Sequence, residues 1–168
     1  WKPATVRVVF TKLQIGSAAF LAYSHGKNDG QMPIGLIAMG LMAFRGTTPF
    51  HIPFWAVITA AASISLGTAV GGRRVIRTIG SQVTTLKPES GFAAEASAAT
   101  LIEIASRMGL PVSTTHCISS TVMGVGATRR LSAVRWGVVE RIVLTWVLTF
   151  PGCVMLGWLF GFLSRALG

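Results

Sequence analysis

Apolar residues run through this chain in long blocks, and polar residues fall between them in short clusters. A helix needs about 20 residues at 1.5 Å per residue to cross a bilayer core of about 30 Å. Residues 54–70, bounded by Pro53 and Gly71-Gly72, approach that length, and residues 136–163 exceed it with room for tilt and for a kink at Pro151-Gly152. Residues 8–23 and 32–44 are each short for a crossing and are separated by the octet Ser24-His25-Gly26-Lys27-Asn28-Asp29-Gly30-Gln31. The octet carries glycines and is followed by Pro33, so the pattern predicts a discontinuous helix broken near the membrane midplane. Non-helical backbone at that depth survives only where protein or a water-filled cavity satisfies its polar groups. The second piece ends at Arg45-Gly46-Thr47-Thr48-Pro49.

Between the third and last apolar blocks lies a basic segment, Arg73-Arg74-Val75-Ile76-Arg77, continuing to Lys87-Pro88. Glu89 and Ser90 read as a helix start, and residues 91–108 as a helix rich in Ala, Ser and Thr that contains Glu95 and Glu103. Gly109-Leu110-Pro111-Val112 stops it, Ser113-Thr114-Thr115-His116 follows, and the apolar piece 117–127 is too short to span. Basic residues favour the cytoplasmic side of a membrane. If residues 91–127 form a re-entrant hairpin, Lys2, Arg7, Arg73, Arg74, Arg77, Lys87, Arg129, Arg130 and Arg135 share one face, and Arg45 and Arg165 lie on the other. A single crossing would split the basic residues between the faces, so the hairpin is the expected topology.

Composition supports this picture. The 168 residues are 51% apolar and 12% charged, with 19 glycines, and the mean hydropathy is +0.62. Soluble domains carry about twice that charged fraction. Glycine and other small residues let membrane helices approach closely. The net charge of +10 does not point to nucleic acid, because the basic residues are not interleaved with stacking aromatics on a polar surface. Cys117 and Cys153 stand alone in apolar surroundings and read as packing residues. Trp136, Trp146 and Trp158 read as interface anchors or packing residues. No cleavable signal peptide is visible, and the opening on Trp1 rather than Met is what a fragment would give.

The candidate chemistry lies at the two polar islands, 25–31 and 111–116. A break between half-helices exposes N–H groups at the positive end of a helix dipole and frees carbonyls at the other end. Such donors bind anions, and carbonyls with carboxylates bind small cations. Ser113, Thr114 and Thr115 add hydroxyl donors suited to a tetrahedral oxyanion. Asp29 is an acid within an apolar segment, which is costly without a partner or a task; a salt bridge to Lys27 is its structural alternative. His25 and His116 are candidate proton relays or caps of helix ends. Glu103 and Arg107 are one turn apart and read as a simple ion pair.

Three blocks then carry a family resemblance. Ser24-His25-Gly26-x-Asn28-Asp29-Gly30-Gln31, Thr85-Leu86-x-Pro88-x-x-Gly91-Phe92-x-x-Glu95-x-Ser97-Ala98, and Gly109-Leu110-Pro111-Val112-Ser113-Thr114-Thr115-His116 resemble the signatures of the inorganic phosphate transporter (PiT) family, in order and spacing. The resemblance covers nearly the whole chain and matches the C-terminal of that family's two inverted repeats. It implies an all-α integral membrane protein, multi-pass, in a bacterial or archaeal inner (plasma) membrane, with residues 1–168 as one membrane domain whose N-terminal half is absent. The implied activity is symport of inorganic phosphate with Na⁺ or H⁺, the phosphate free or as a metal complex, with no enzyme activity and no resident cofactor. The implied partners are the lipid bilayer and either the N-terminal repeat or a second copy of the chain, as a dimer.

By the same resemblance, Asn28 and Asp29 contribute to cation and phosphate binding, and Ser113, Thr114 and Thr115 contact phosphate or cation. Na⁺ would lie at Asn28, Asp29 and Thr115, while Gln31 and Glu95 line or brace the site. Lys27 and Pro33 depart from the family's usual residues. Three alternatives remain open: a permease of the same fold for sulfate or another tetrahedral oxyanion, a non-transporting half-transporter subunit, and a membrane metalloenzyme gathering His25, Asp29 and His116 around a metal.

Overall fold

The computed structural model describes residues 3–46 and 51–167, so Lys2 and the Thr47-Thr48-Pro49 boundary lie outside the described residues, as does the side chain of Arg74. The chain is helical along nearly all of this length. In order the helices are α1 (Pro3–Arg45), α2 (Phe54–Arg77), α3 (Pro88–Arg107), α4 (Thr114–Arg129) and α5 (Trp136–Leu167), with a π-helical turn at Thr78–Gln82 and a 3₁₀ turn at Leu131–Ala133. Two units divide at Val134/Arg135.

The break expected within residues 24–31 is absent. α1 runs unbroken for 43 residues, with Pro33 inside it. Neither Gly26 nor Gly30 departs from the helix, and neither has a positive φ. α3 backs α1 from Phe10 to Gln31, across the whole octet, and α2 packs on α1 as well, so the helix continues through the polar stretch. Pro33 still leaves a mark: it has no N–H to give to the Asp29 carbonyl one turn earlier. At 1.5 Å per residue α1 is about 65 Å long, roughly twice a bilayer core, so at ordinary tilt about half of it lies within hydrocarbon.

The second expected break is present. Gly109 sits at φ +71, a left-handed conformation that suits glycine, directly after α3. Leu110 N–H bonds back to the Ala105 carbonyl at 2.9 Å, closing the helix end. The chain then turns through Pro111 and Val112 into α4, where Ser113 caps the first turn by accepting from His116 N–H at 3.3 Å. α3 begins with Pro88 in its first turn, where the missing N–H costs nothing.

α3 and α4 pack against each other as a helical hairpin, and its two feet meet. Thr84 Oγ1 donates to the Ala133 carbonyl at 2.9 Å, joining the segment that leads into α3 to the 3₁₀ turn that follows α4. Arg129 Nη2 donates to Ser90 Oγ at 2.7 Å and lies 3.6 Å from Glu89 Oε1. Gly126 fits where an added Cβ would meet Val134 Cγ2 at 3.0 Å and Thr84 Oγ1 at 3.2 Å. α4, at 16 residues, spans only about 24 Å.

α1 packs most extensively along α3, through small side chains. Ala94, Ala98, Ala99 and Ile102 are buried on α3, and Ser17, Ser24, Asn28 and Ala38 on α1. Phe10 and Phe92 meet edge to face with centroids 5.8 Å apart. Gly91 approaches α1 so closely that an added Cβ would collide with the Gln14 side-chain amide. α2 packs on α1 with Ala56 and Ala60 buried.

Large apolar residues face outward on several helices, among them Phe44, Phe54, Leu66 and Val70. Among the described residues, two segments are long and apolar enough to cross a membrane, Phe54–Arg73 and Trp136–Ala166. The second unit, Arg135–Gly168, consists chiefly of α5, which continues as one helix through Pro151. Two of its hydroxyls are satisfied within the helix: Thr145 and Thr149 donate to the carbonyls one turn earlier at 2.8 and 2.7 Å.

Candidate functional site

The two polar islands meet where the middle of α1 touches the hairpin tip. Asn28 is 2% exposed and pairs with Val112 in both directions. Its Nδ2 donates to the Val112 carbonyl at 2.7 Å, and its Oδ1 accepts Val112 N–H at 3.1 Å. One amide side chain thus satisfies both polar groups of a residue in the turn, as a neighbouring strand would. Ser106 Oγ adds a weak donation to the same Oδ1 at 3.4 Å, and Gln31 Nε2 donates to the Ser106 carbonyl at 3.4 Å.

Asp29 adjoins this clasp. Its Oδ1 accepts from Asn28 Nδ2 at 3.0 Å, and its Oδ2 lies 2.9 Å from His25 Nε2, one turn earlier. The salt bridge to Lys27 does not form; Lys27 pairs instead with Glu103, at 2.9 Å. The expected Glu103–Arg107 pair is present at 2.8 Å on the same carboxylate oxygen. Residues two apart on a helix face different directions, which keeps Lys27 and Asp29 apart.

Thr114 is buried, whereas Ser113 and Thr115 are exposed. All three sit at the start of α4, whose first N–H groups have no acceptor within the helix apart from the Ser113 cap. Dipole and free donors together make such a terminus attractive to an anion. The carboxylate of Asp29, and its carbonyl deprived of a donor by Pro33, supply oxygen acceptors on α1. A cavity of about 660 Å³ between α1 and α2 borders this region, lined by Gly26, Lys27, Gly30, Gln31, Ile34 and Ser65 among others.

Glu95 lies elsewhere. It accepts from Ser17 Oγ at 2.6 Å and Gln14 Nε2 at 3.4 Å, so it braces α1 against α3. Ser17 is 11 positions before Asn28, or roughly 16 Å along α1, which removes Glu95 from the tip. The metal-centre alternative finds no geometry: among the described residues no three His, Cys, Asp or Glu side chains gather to hold an ion.

The sequence does not point to Ser106 and Glu103 as partners of the 25–31 island, nor to Gln14 and Ser17 as partners of Glu95. A signal was available on α1. Gln14, Ser17, Ser24, Asn28 and Gln31 recur at helical spacing and form a polar stripe, the face that α3 and the hairpin tip cover.

Long helices with outward apolar surfaces, enclosing a polar junction between a helix and a hairpin tip, define a helical membrane protein of the transporter kind. The chain belongs to the Phosphate transporter family, whose pattern matches residues 1–157. It is 45% identical over 156 residues to a probable low-affinity inorganic phosphate transporter of Rhizobium meliloti (strain 1021), covering 92% of this chain and 46% of that protein. It is 41% identical over 149 residues to the sodium-dependent phosphate transporter 1 of Xenopus tropicalis, covering 87% of this chain and 22% of that protein. A solved structure titled "The sodium-dependent phosphate transporter" superposes with a TM-score of 0.76 at 39% identity, over 87% of this chain and 37% of that one. The chain therefore spans about half or less of the length of these relatives.

Proposed function

We propose that this chain supplies one half of a cation-coupled phosphate transporter, with its share of the substrate site at the contact of α1 and the hairpin tip. The observation that carries the reading is the two-way pairing of Asn28, the residue next to Asp29, with Val112 in the turn that leads into α4. Phosphate would be met by N–H groups of α4 and the hydroxyls of Ser113, Thr114 and Thr115. A phosphate oxygen still protonated near neutral pH can donate to Asp29, which a sulfate cannot do. Na⁺ or H⁺ would be held by Asp29, with Asn28 and Thr115 contributing oxygen. His25, bonded to Asp29, would orient that carboxylate or pass a proton to it; His116 would serve at the α4 end. The other wall of the pathway would come from an N-terminal repeat or a second, antiparallel copy, in a dimer. The hairpin would be re-entrant, entering and leaving the bilayer on one face.

The names of the relatives support phosphate as substrate and Na⁺ as a coupling ion. The test is uptake of labelled phosphate by the protein reconstituted in liposomes under inward Na⁺ or proton gradients. Asp29→Asn and Thr114→Ala should each lower uptake at limiting phosphate by about ten- to a hundredfold, the worth of one hydrogen bond to a charged group. Uptake unchanged in both variants would remove the site from the hairpin tip. Inhibition by equimolar sulfate, with sulfate itself transported, would change the anion.

A further inference from the structure

The end of α2 lies beside the two feet of the hairpin, and the charge gathered there is one-sided. The apolar span of α2 ends at Arg73, and Arg77 follows one turn later. The π-helical turn at Thr78–Gln82 packs against α4, and Thr84 lies against Gly126 and bonds to Ala133. Lys87 leads into α3, its carbonyl accepting Ser90 N–H at 2.9 Å, and the Arg129 side chain reaches the hydroxyl of that same Ser90. Arg130 leaves α4 in an extended conformation. Residues 70–90 and 126–134 together hold six basic residues and one acidic residue, Glu89.

Glu89 is taken up by Arg129, 3.6 Å away. Among the described residues no carboxylate lies within ion-pair distance of Arg73, Arg77, Lys87 or Arg130, and all four residues are exposed. Like charges gathered in one place repel each other, so this end of the molecule attracts anions.

The apolar neighbours say which kind of anion fits. Leu66, Val70, Arg73 and Arg77 follow at helical spacing and share one face of α2, with Leu66 68% and Val70 87% exposed. Val75 and Ile76, between the two arginines, are exposed as well. A free anion or an acidic protein needs the cations alone. A stripe that passes from exposed apolar side chains to exposed cations at the end of a membrane span matches a lipid, acyl chain first and headgroup after.

We propose that the end of α2 and the hairpin feet form a binding surface for an anionic phospholipid, its phosphate received by Arg73, Arg77, Lys87 and Arg130 and an acyl chain lying along Leu66 and Val70. The cations come from α2 and from both feet, so a bound headgroup ties α2 to the hairpin. The surface lies at the feet, away from the tip where Asn28 meets Val112, and does not depend on how the tip is read.

The experiment is native mass spectrometry of the full chain in mild detergent with an equimolar mixture of phosphatidylglycerol and phosphatidylcholine of the same acyl chains. A basic residue near an anionic surface contributes about fivefold in binding, so wild type should retain phosphatidylglycerol over phosphatidylcholine by at least about tenfold. In Arg77→Gln/Lys87→Gln/Arg130→Gln the ratio should fall to within about twofold of unity, and in Arg45→Gln, at the far end of α1, it should stay at the wild-type value. Arg77→Gln and Arg130→Gln alone should each lower it several-fold, which keeps the idea testable if the triple variant fails to fold. Phosphatidylglycerol should also raise the thermal midpoint of wild type above that in phosphatidylcholine, and the triple variant should lose this difference. No preference in wild type would overturn the proposal, as would a preference that survives in the triple variant or is lost equally in Arg45→Gln. Displacement of phosphatidylglycerol by inorganic phosphate at matched ionic strength would also overturn it, because the surface would then serve the free anion.

Discussion

Asn28 is the residue on which the junction turns. Its side chain meets the N–H and the carbonyl of Val112, and both would be left without a partner by truncation. An unsatisfied buried group costs about 1–3 kcal/mol, so Asn28→Ala should destabilise the protein by about 2–4 kcal/mol. Thermal unfolding in detergent would measure it, and an unchanged midpoint would mean that the clasp is not formed. Asn28→Asp keeps the shape and loses the donor, so it should recover only part of the stability. Asp29 and Asn28 were legible as candidates because polar residues inside an apolar segment need a reason to be there. Their separate tasks were not legible. Adjacent positions on a helix point about 100° apart, and which direction meets the hairpin depends on how α3 lies against α1. The same applies to Lys27, whose partner Glu103 is 76 residues away in sequence.

At the scale of elements, α1 departs most from what its sequence suggests. Two glycines and a proline around a polar octet resemble a helix break, yet α1 passes through them. Local propensity is outweighed by the packing surface that α3 covers on α1 from Phe10 to Gln31. That surface depends on small residues, and Gly91 is its tightest point: a Cβ there would meet the Gln14 amide. Gln14 is flexible enough to swing away, at the loss of its bond to Glu95. Gly91→Ala should therefore cost about 1 kcal/mol, one hydrogen bond. In a Gln14→Ala background the same change should be nearly silent, since nothing is left to displace. A double-mutant cycle on unfolding midpoints measures the coupling, and strict additivity would place the contact elsewhere. The break between α3 and α4, in contrast, was readable, because Gly109, Pro111 and the Ser113 cap each act through the backbone of their own residue or its neighbours.

At the scale of the whole molecule, the meeting of the hairpin feet has a consequence for sidedness. Thr84 and Ala133 are hydrogen-bonded, so the residues flanking α3 and α4 emerge together. With Cys117 and Cys153 replaced, single cysteines at Arg77 and Arg130 should react with a membrane-impermeant thiol reagent from the same side of intact vesicles, and a cysteine at Arg45 from the opposite side. Labelling of positions 77 and 130 from opposite sides would mean that the hairpin crosses the bilayer. The outward apolar surfaces of α2 and α5 are those of helices that face lipid or other protein.

The linear order of residues was enough to determine the solvent in which this protein lives, its all-helical character, the turn at residues 108–113 and the family to which it belongs. Each follows from hydrophobicity, from backbone preferences of neighbouring residues, or from motifs read in one dimension. Tertiary structure alone decided that α1 stays whole, that Asn28 clasps Val112, that Glu95 braces a distant part of the interface, and that Glu103 takes Lys27. The last three are contacts of side chains with groups about 75–85 positions away. They depend on the relative rotation of packed helices, which no local pattern encodes.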